Sequence, residues 1–142
     1  MPDAIAAGQA LKQKGFLLIV ITNQPDVGNG LVDKAVVERM NAEMARRLPI
    51  DAIKVCYHAQ TEGCECRKPK PGMILSAAKE LAVDLASSFM IGDRWSDISA
   101  GHTAGCRTVF IDRNYTEGRT EASDFTTDSL VSAAEWIIGS TT

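Results

Sequence analysis

At 142 residues the chain has the length of one domain and is long enough to bury a core. Apolar residues make up 45% of it and charged residues 23%, with a net charge of −3, and there is no basic run and no interleaving of aromatic with basic residues. That balance argues against nucleic acid as a partner. No apolar stretch reaches transmembrane length, and the first residues lack a charged-then-apolar signal pattern, which predicts a cytoplasmic protein with no membrane partner.

The spacing of Ile5 and Leu11, with Pro2 at the start and Gly15 at the end, predicts a helix over Pro2 to Lys14. Phe16 to Ile21 has no polar alternation and reads as a strand buried on both faces, ending in Thr22-Asn23-Gln24. A Pro/Gly/Asn loop leads to a helix over Val32 to Leu48, then a short strand over Ala52 to Tyr57. Gly72 to Val83 reads as a helix, Ser88 to Ile91 as a strand ended by Gly92-Asp93, and Ser96 to Ala104 as a helix closed by Gly105. Arg107 to Ile111 is a fourth strand, Asn114 to Thr127 reads as loop, and Asp128 is expected to cap a last helix running through Ile138. Strands alternating with helices predict an α/β fold, a Rossmann-like parallel sheet covered on both faces.

The densest chemistry lies in Cys56 to Met73, CYHAQTEGCECRKPKPGM, which holds three of the four cysteines and one of the two histidines. In an extended segment the ligands of Cys56-Tyr57-His58 point to one side, as do those of Cys64-Glu65-Cys66. The turn residues Thr61-Glu62-Gly63 let the second pair fold back on the first. Cys56, His58, Cys64 and Cys66 make a tetrahedral zinc set with no open position, which is a structural site. The alternatives are ordinary core cysteines or a disulfide, and a chain without a secretory signal argues against the disulfide. Arg67 and Lys68 follow at once, so a metal-locked loop would deliver two cations to a fixed place.

In parallel sheets the chemistry sits beyond the carboxyl ends of the strands. The polar residues there are Thr22 and Asn23, the Arg67-Lys68 loop, and Asp93 with Asp97. A hydroxyl with backbone N–H groups suits a phosphate oxygen, and a lysine suits the same anion as a point charge. Carboxylates suit Mg²⁺ shared with a substrate phosphate. Each piece has a plainer reading, since strand-end Thr and Asn are common turn formers and Asp93 could cap the helix that follows. Together they predict phosphoryl chemistry.

TNQ after the first strand, CRKPKPGM after the cysteine loop and GDRWSDI after the third strand resemble three motifs of the haloacid dehalogenase superfamily. The Cys-x-His and Cys-x-Cys insertion resembles the branch of heptose 1,7-bisphosphate phosphatases and histidinol-phosphatases. The resemblance runs over nearly the whole chain and implies a single haloacid dehalogenase-like domain over 1–142. It implies that Thr22 and Asn23 bind phosphate, that Lys68 steadies the phosphoryl group and the nucleophile, and that Arg67 meets the far end of the substrate. It implies Asp93 as a Mg²⁺ ligand, Asp97 as a supporting carboxylate, and zinc on Cys56, His58, Cys64 and Cys66.

The resemblance departs at one place. The superfamily's opening strand ends in Asp-x-Asp, which supplies the nucleophile that forms an aspartyl-phosphate, and no Asp-x-Asp occurs in these 142 residues. In the superfamily that strand is the middle one of the sheet, so the edges of Phe16–Ile21 and Ser88–Ile91 are expected to lie unpaired and to favour self-association. One expectation is therefore a Mg²⁺-dependent sugar-phosphate phosphatase whose first strand is missing through a misplaced start or a split gene. The other is a zinc-stapled relic that binds phosphorylated ligands or a partner chain without turnover. The substrate stays open between a heptose bisphosphate, histidinol phosphate and another small phosphoester.

Overall fold

The computed structural model describes residues 2–58, 64, 68, 70–113 and 122–140. Helix α1 (Pro2–Gln13) leads into strand β1 (Ile19–Asn23), a four-residue helix α2 (Pro25–Gly28) and helix α3 (Lys34–Arg47). Strand β2 (Ala52–Cys56), helix α4 (Gly72–Leu81), a 3₁₀ turn (Leu85–Ser87) and strand β3 (Phe89–Gly92) follow. Helix α5 (Trp95–Ala104), strands β4 (Arg107–Ile111) and β5 (Phe125–Thr127) and helix α6 (Leu130–Ser140) complete the order.

Every described strand pairing is parallel, but the strands divide into two sheets, β1–β2 and β3–β4–β5. Side-chain alternation sorts the core into two sides. Val109 and Ile111 of β4 pack with Ala7 and Leu11 of α1 and with Ala133, Ala134 and Ile137 of α6, and Leu18, Phe89 and Ile91 join from the neighbouring segments. Met90 of β3 faces the other way, against Ile74 of α4 and Ala100 of α5, with Ile21 alongside. Full burial of Ile98 and Ile137 is worth roughly 1.5–3 kcal/mol for each side chain.

Between β1 and β3 runs a gap, crossed at the amino end by an edge-to-face contact of Phe16 with Phe89 at 6.1 Å. At the carboxyl end Lys68 crosses it, donating to the Ile21 carbonyl at 3.4 Å and pairing with Asp97. The carboxyl ends of β1 and β3 therefore meet at Lys68.

The elements depart from expectation in three places. Strand β1 starts at Ile19, because the Leu18 N–H is taken at 2.6 Å by the Asp51 carboxylate instead of entering a ladder. The segment read as loop contains β5, held to β4 by Asp124, whose carboxylate accepts from Thr108 N at 2.7 Å and from Thr108 Oγ1 at 3.3 Å. The start of α6 is capped by Ser129, whose Oγ accepts from Ser132 N at 3.1 Å, and by Asp3 of α1, which accepts from Leu130 N at 3.1 Å and Val131 N at 3.3 Å. Asp128, the expected cap, is not the acceptor here: the Leu130 and Val131 donors go to Asp3 and the Ser132 donor to Ser129.

Candidate active site

Strand β1 ends on Thr22 and Asn23. Thr22 Oγ1 accepts from Gln24 Nε2 at 3.2 Å, and Asn23 Oδ1 accepts from Lys68 N at 3.2 Å. Asn23 thus fixes the backbone that carries Lys68. Its register partner across the ladder is Cys56, fully buried at the end of β2.

From Cys56 the metal set unfolds outward. Cys56 Sγ lies 3.6 Å from His58 Nδ1 and 3.5 Å from Cys64 Sγ, and all three ligand atoms fall within 4.8 Å of one another. Tetrahedral geometry with metal–sulfur bonds of about 2.3 Å puts two thiolates roughly 3.7 Å apart, so the three donors fit zinc. Among the described residues Cys106 is a free thiol. Cys66, the fourth expected ligand, and Arg67, the expected substrate contact, lie outside the described residues, as does the Thr61-Glu62-Gly63 turn. Cys106 sits apart against the Ile74–Met90 cluster, where burial pushes its thiol pKa up.

Lys68 and Asp97 form a buried ion pair, their side chains 13% and 8% exposed. Asp97 is the third residue of α5, and its Oδ2 also accepts from Arg94 N at 3.3 Å. One carboxylate therefore both caps the helix and holds the lysine. This packing needs a glycine at the end of β3, because a Cβ on Gly92 would run into the Asp97 side chain. Asp93 follows at once and, with Lys68, Asp97 and Arg113, lines the carboxyl end of a cavity of about 450 Å³ in the gap between β1 and β3.

The structure thus brings Lys68, Asp93 and Asp97 to one cavity, while Thr22 and Asn23 stand at its edge, outside its lining. Sequence reasoning missed Arg113. It stands two residues past β4, so the rule that drew attention to the other strand ends would have found it had the reading gone beyond Ile111. The anion chemistry is balanced: two cations and two carboxylates face the same space, a donor set suited to a phosphate with a hard divalent cation.

A HAD-hydrolase-like family model matches residues 65–133. D-glycero-beta-D-manno-heptose-1,7-bisphosphate 7-phosphatase of Pasteurella multocida is 34% identical over 151 residues, covering 96% of this chain and 82% of the relative. The Pseudomonas aeruginosa protein of the same name is 34% identical over 116 residues, covering 78% of this chain and 65% of the relative, so the chain spans about two thirds of that protein. The crystal structure of a D,D-heptose 1,7-bisphosphate phosphatase from B. bronchiseptica, complexed with magnesium and phosphate, superposes with a TM-score of 0.87 at 29% identity, covering 99% of this chain and 84% of that one. A HAD phosphatase from Thermococcus onnurineus, 22% identical, shares the fold with a TM-score of 0.70 over 96% of this chain and 57% of that one. The chain belongs to the HAD-like hydrolases, in the group formed by the heptose-1,7-bisphosphate phosphatases.

Proposed function

We propose that residues 1–142 act as one domain carrying the phosphate-handling site of a Mg²⁺-dependent phosphatase, with D-glycero-D-manno-heptose 1,7-bisphosphate as the foremost substrate. The observation that carries this reading is the convergence of Lys68, Asp93 and Asp97 on one cavity where β1 and β3 end. Lys68, held by Asp97 and by the Ile21 carbonyl, sets a positive charge where phosphoryl oxygens gather charge, and phosphoryl transfer depends mainly on such positioning and electrostatics. Asp93 faces the cavity as the carboxylate for Mg²⁺, which when bound neutralises phosphate charge. Asp97 acts through Lys68 and the α5 cap. Asn23, its oxygen committed to Lys68 N, has its amide donors for the anion, and Thr22 adds a hydroxyl beside it. Cys56, His58 and Cys64, with Cys66 as the expected fourth ligand, would hold a structural zinc next to the segment that leads to Lys68.

None of Lys68, Thr22 or Asp93 is positioned as a nucleophile in this scheme, and the reactive carboxylate comes from an Asp-x-Asp strand outside these residues. Titrating inorganic phosphate into the protein with Mg²⁺ present tests the site itself. Calorimetric binding that disappears in Lys68→Ala supports the reading. Absence of binding, or equal binding by Lys68→Ala, overturns it.

A further inference from the structure

We propose that Arg113 is a substrate-binding residue of the cavity that takes a second anionic group, outward of the first phosphate and on its β4 side. The site thereby prefers a small molecule with two separated phosphates over one with a single phosphate. This rests on the phosphatase reading and adds to it a residue that selects the substrate class.

The strand places the residue. Val109 and Ile111 of β4 face α1 and α6, and side chains along a strand alternate with a period of two. Asp112 N donates to the Thr127 carbonyl at 2.7 Å, so the chain keeps its course beside β5 for one residue past β4. Arg113 comes next, on the face of Val109 and Ile111, and it lines the cavity with Leu130 and Ile137. The parallel register pairs Gly92 with Phe110, and one further step sets Asp93 beside Ile111. Arg113 therefore follows two residues beyond the level of Asp93, about 7 Å further along the strand direction. It is exposed as well as lining the cavity, so it meets what lies outward of Lys68 and Asp93.

The charges of the lining call for a second anion. Lys68 gives one N–H to Asp97 and one to the Ile21 carbonyl, so one of its three donors remains for a phosphate oxygen. Its charge is already balanced by Asp97, and on the phosphatase reading Asp93 is matched by Mg²⁺. Among the described residues Arg113 has no hydrogen-bond or ion-pair partner, which leaves it as the uncompensated cation of the lining. An arginine that braced α6 or β5 would instead be engaged by a carboxylate or carbonyl there. A guanidinium offers paired N–H groups that match two phosphate oxygens at once. Lys68 and Mg²⁺ serve the first phosphate, and Arg113 serves the second.

The test is calorimetry on the 142-residue protein with Mg²⁺ present, with inorganic phosphate and D-glycero-D-manno-heptose 1,7-bisphosphate titrated separately. The parent protein is expected to bind the bisphosphate at least about tenfold more tightly than inorganic phosphate. Arg113→Gln is expected to weaken the bisphosphate at least about tenfold and inorganic phosphate less than about twofold, with Arg113→Lys in between. The retained phosphate binding also shows that the variant is folded. Lys68→Ala is expected to lose both ligands. Parent-like bisphosphate binding by Arg113→Gln, or an equal loss of both ligands, overturns the proposal and leaves the phosphate site standing. Equal affinity of the parent protein for the two ligands does the same. Binding of neither ligand by the parent protein overturns the phosphatase reading, and this proposal with it.

Discussion

Asp97 holds Lys68 with one carboxylate oxygen and the backbone N–H of Arg94 with the other, so a single side chain ties the loop after the metal set to the first turn of α5. Removing one member of a buried pair leaves an uncompensated charge, at a cost of about 3–5 kcal/mol. Lys68→Ala and Asp97→Ala are each expected to destabilise the fold by about that much. The double variant should fall well short of the sum, by a coupling of about 1–3 kcal/mol. Urea unfolding of the four proteins measures this, and simple additivity would show that the pair does not act as a unit.

The thiols provide a second check. With zinc bound, Cys56 and Cys64 are expected to resist alkylation, and Cys106 to react slowly because burial raises its pKa and depletes the thiolate. A chelator should release about one zinc per chain and expose the ligand thiols, with Cys106 still slow. Metal analysis that finds no zinc, or alkylation indifferent to the chelator, contradicts the Cys56–His58–Cys64 assignment.

Magnesium should behave differently from zinc. Asp97 is engaged by Lys68 and by the α5 cap, and on the proposed reading Asp93, which lines the cavity, would take the ion. Mg²⁺ dehydrates reluctantly and relies on carboxylates together with phosphate. Calorimetry is expected to show weak or absent Mg²⁺ binding alone and clear binding once phosphate is added. Tight binding without phosphate would place the cation elsewhere.

Acid sensitivity should trace to Asp51. Its carboxyl pKa is lowered below the ordinary value, first by the hydrogen bond from Leu18 N and next by that from Lys12. A carboxylate with a depressed folded pKa contributes stability that is complete above its ordinary value and is lost as pH falls through the folded one. Asp51→Asn should therefore lose stability at neutral pH and narrow its gap to the parent protein below about pH 4. Parallel stability curves down to that range would exclude Asp51 as the source.

Much of this was legible in the sequence because the informative residues are local. Arg107 to Ile111 reads as a buried strand and is one beyond its first residue, whereas Phe16 to Ile21 overlaps only the first three residues of a half-buried β1. Cys56, His58 and Cys64 of the expected metal set come together. What escaped detection depends on distant partners. Strand β5 is three residues of mixed polarity that become a strand because Asp124 clamps Thr108. The start of α6 is completed by Asp3, from the opposite end of the sequence. Asn23 read as a phosphate ligand, and nothing local reveals that its oxygen holds Lys68 N.

Phosphate release from D-glycero-D-manno-heptose 1,7-bisphosphate tests the central claim most directly. The assay compares residues 1–142 alone with the same residues fused to an opening strand that ends in Asp-x-Asp. Loss of an acting nucleophile costs on the order of 10⁶ in rate in a protease precedent. Residues 1–142 alone should release phosphate no faster than their Lys68→Ala variant, and the fusion should be active and lose activity with Lys68→Ala or Asp93→Asn. Turnover by 1–142 alone at ordinary enzyme rates, abolished by Asp93→Asn, would contradict the account.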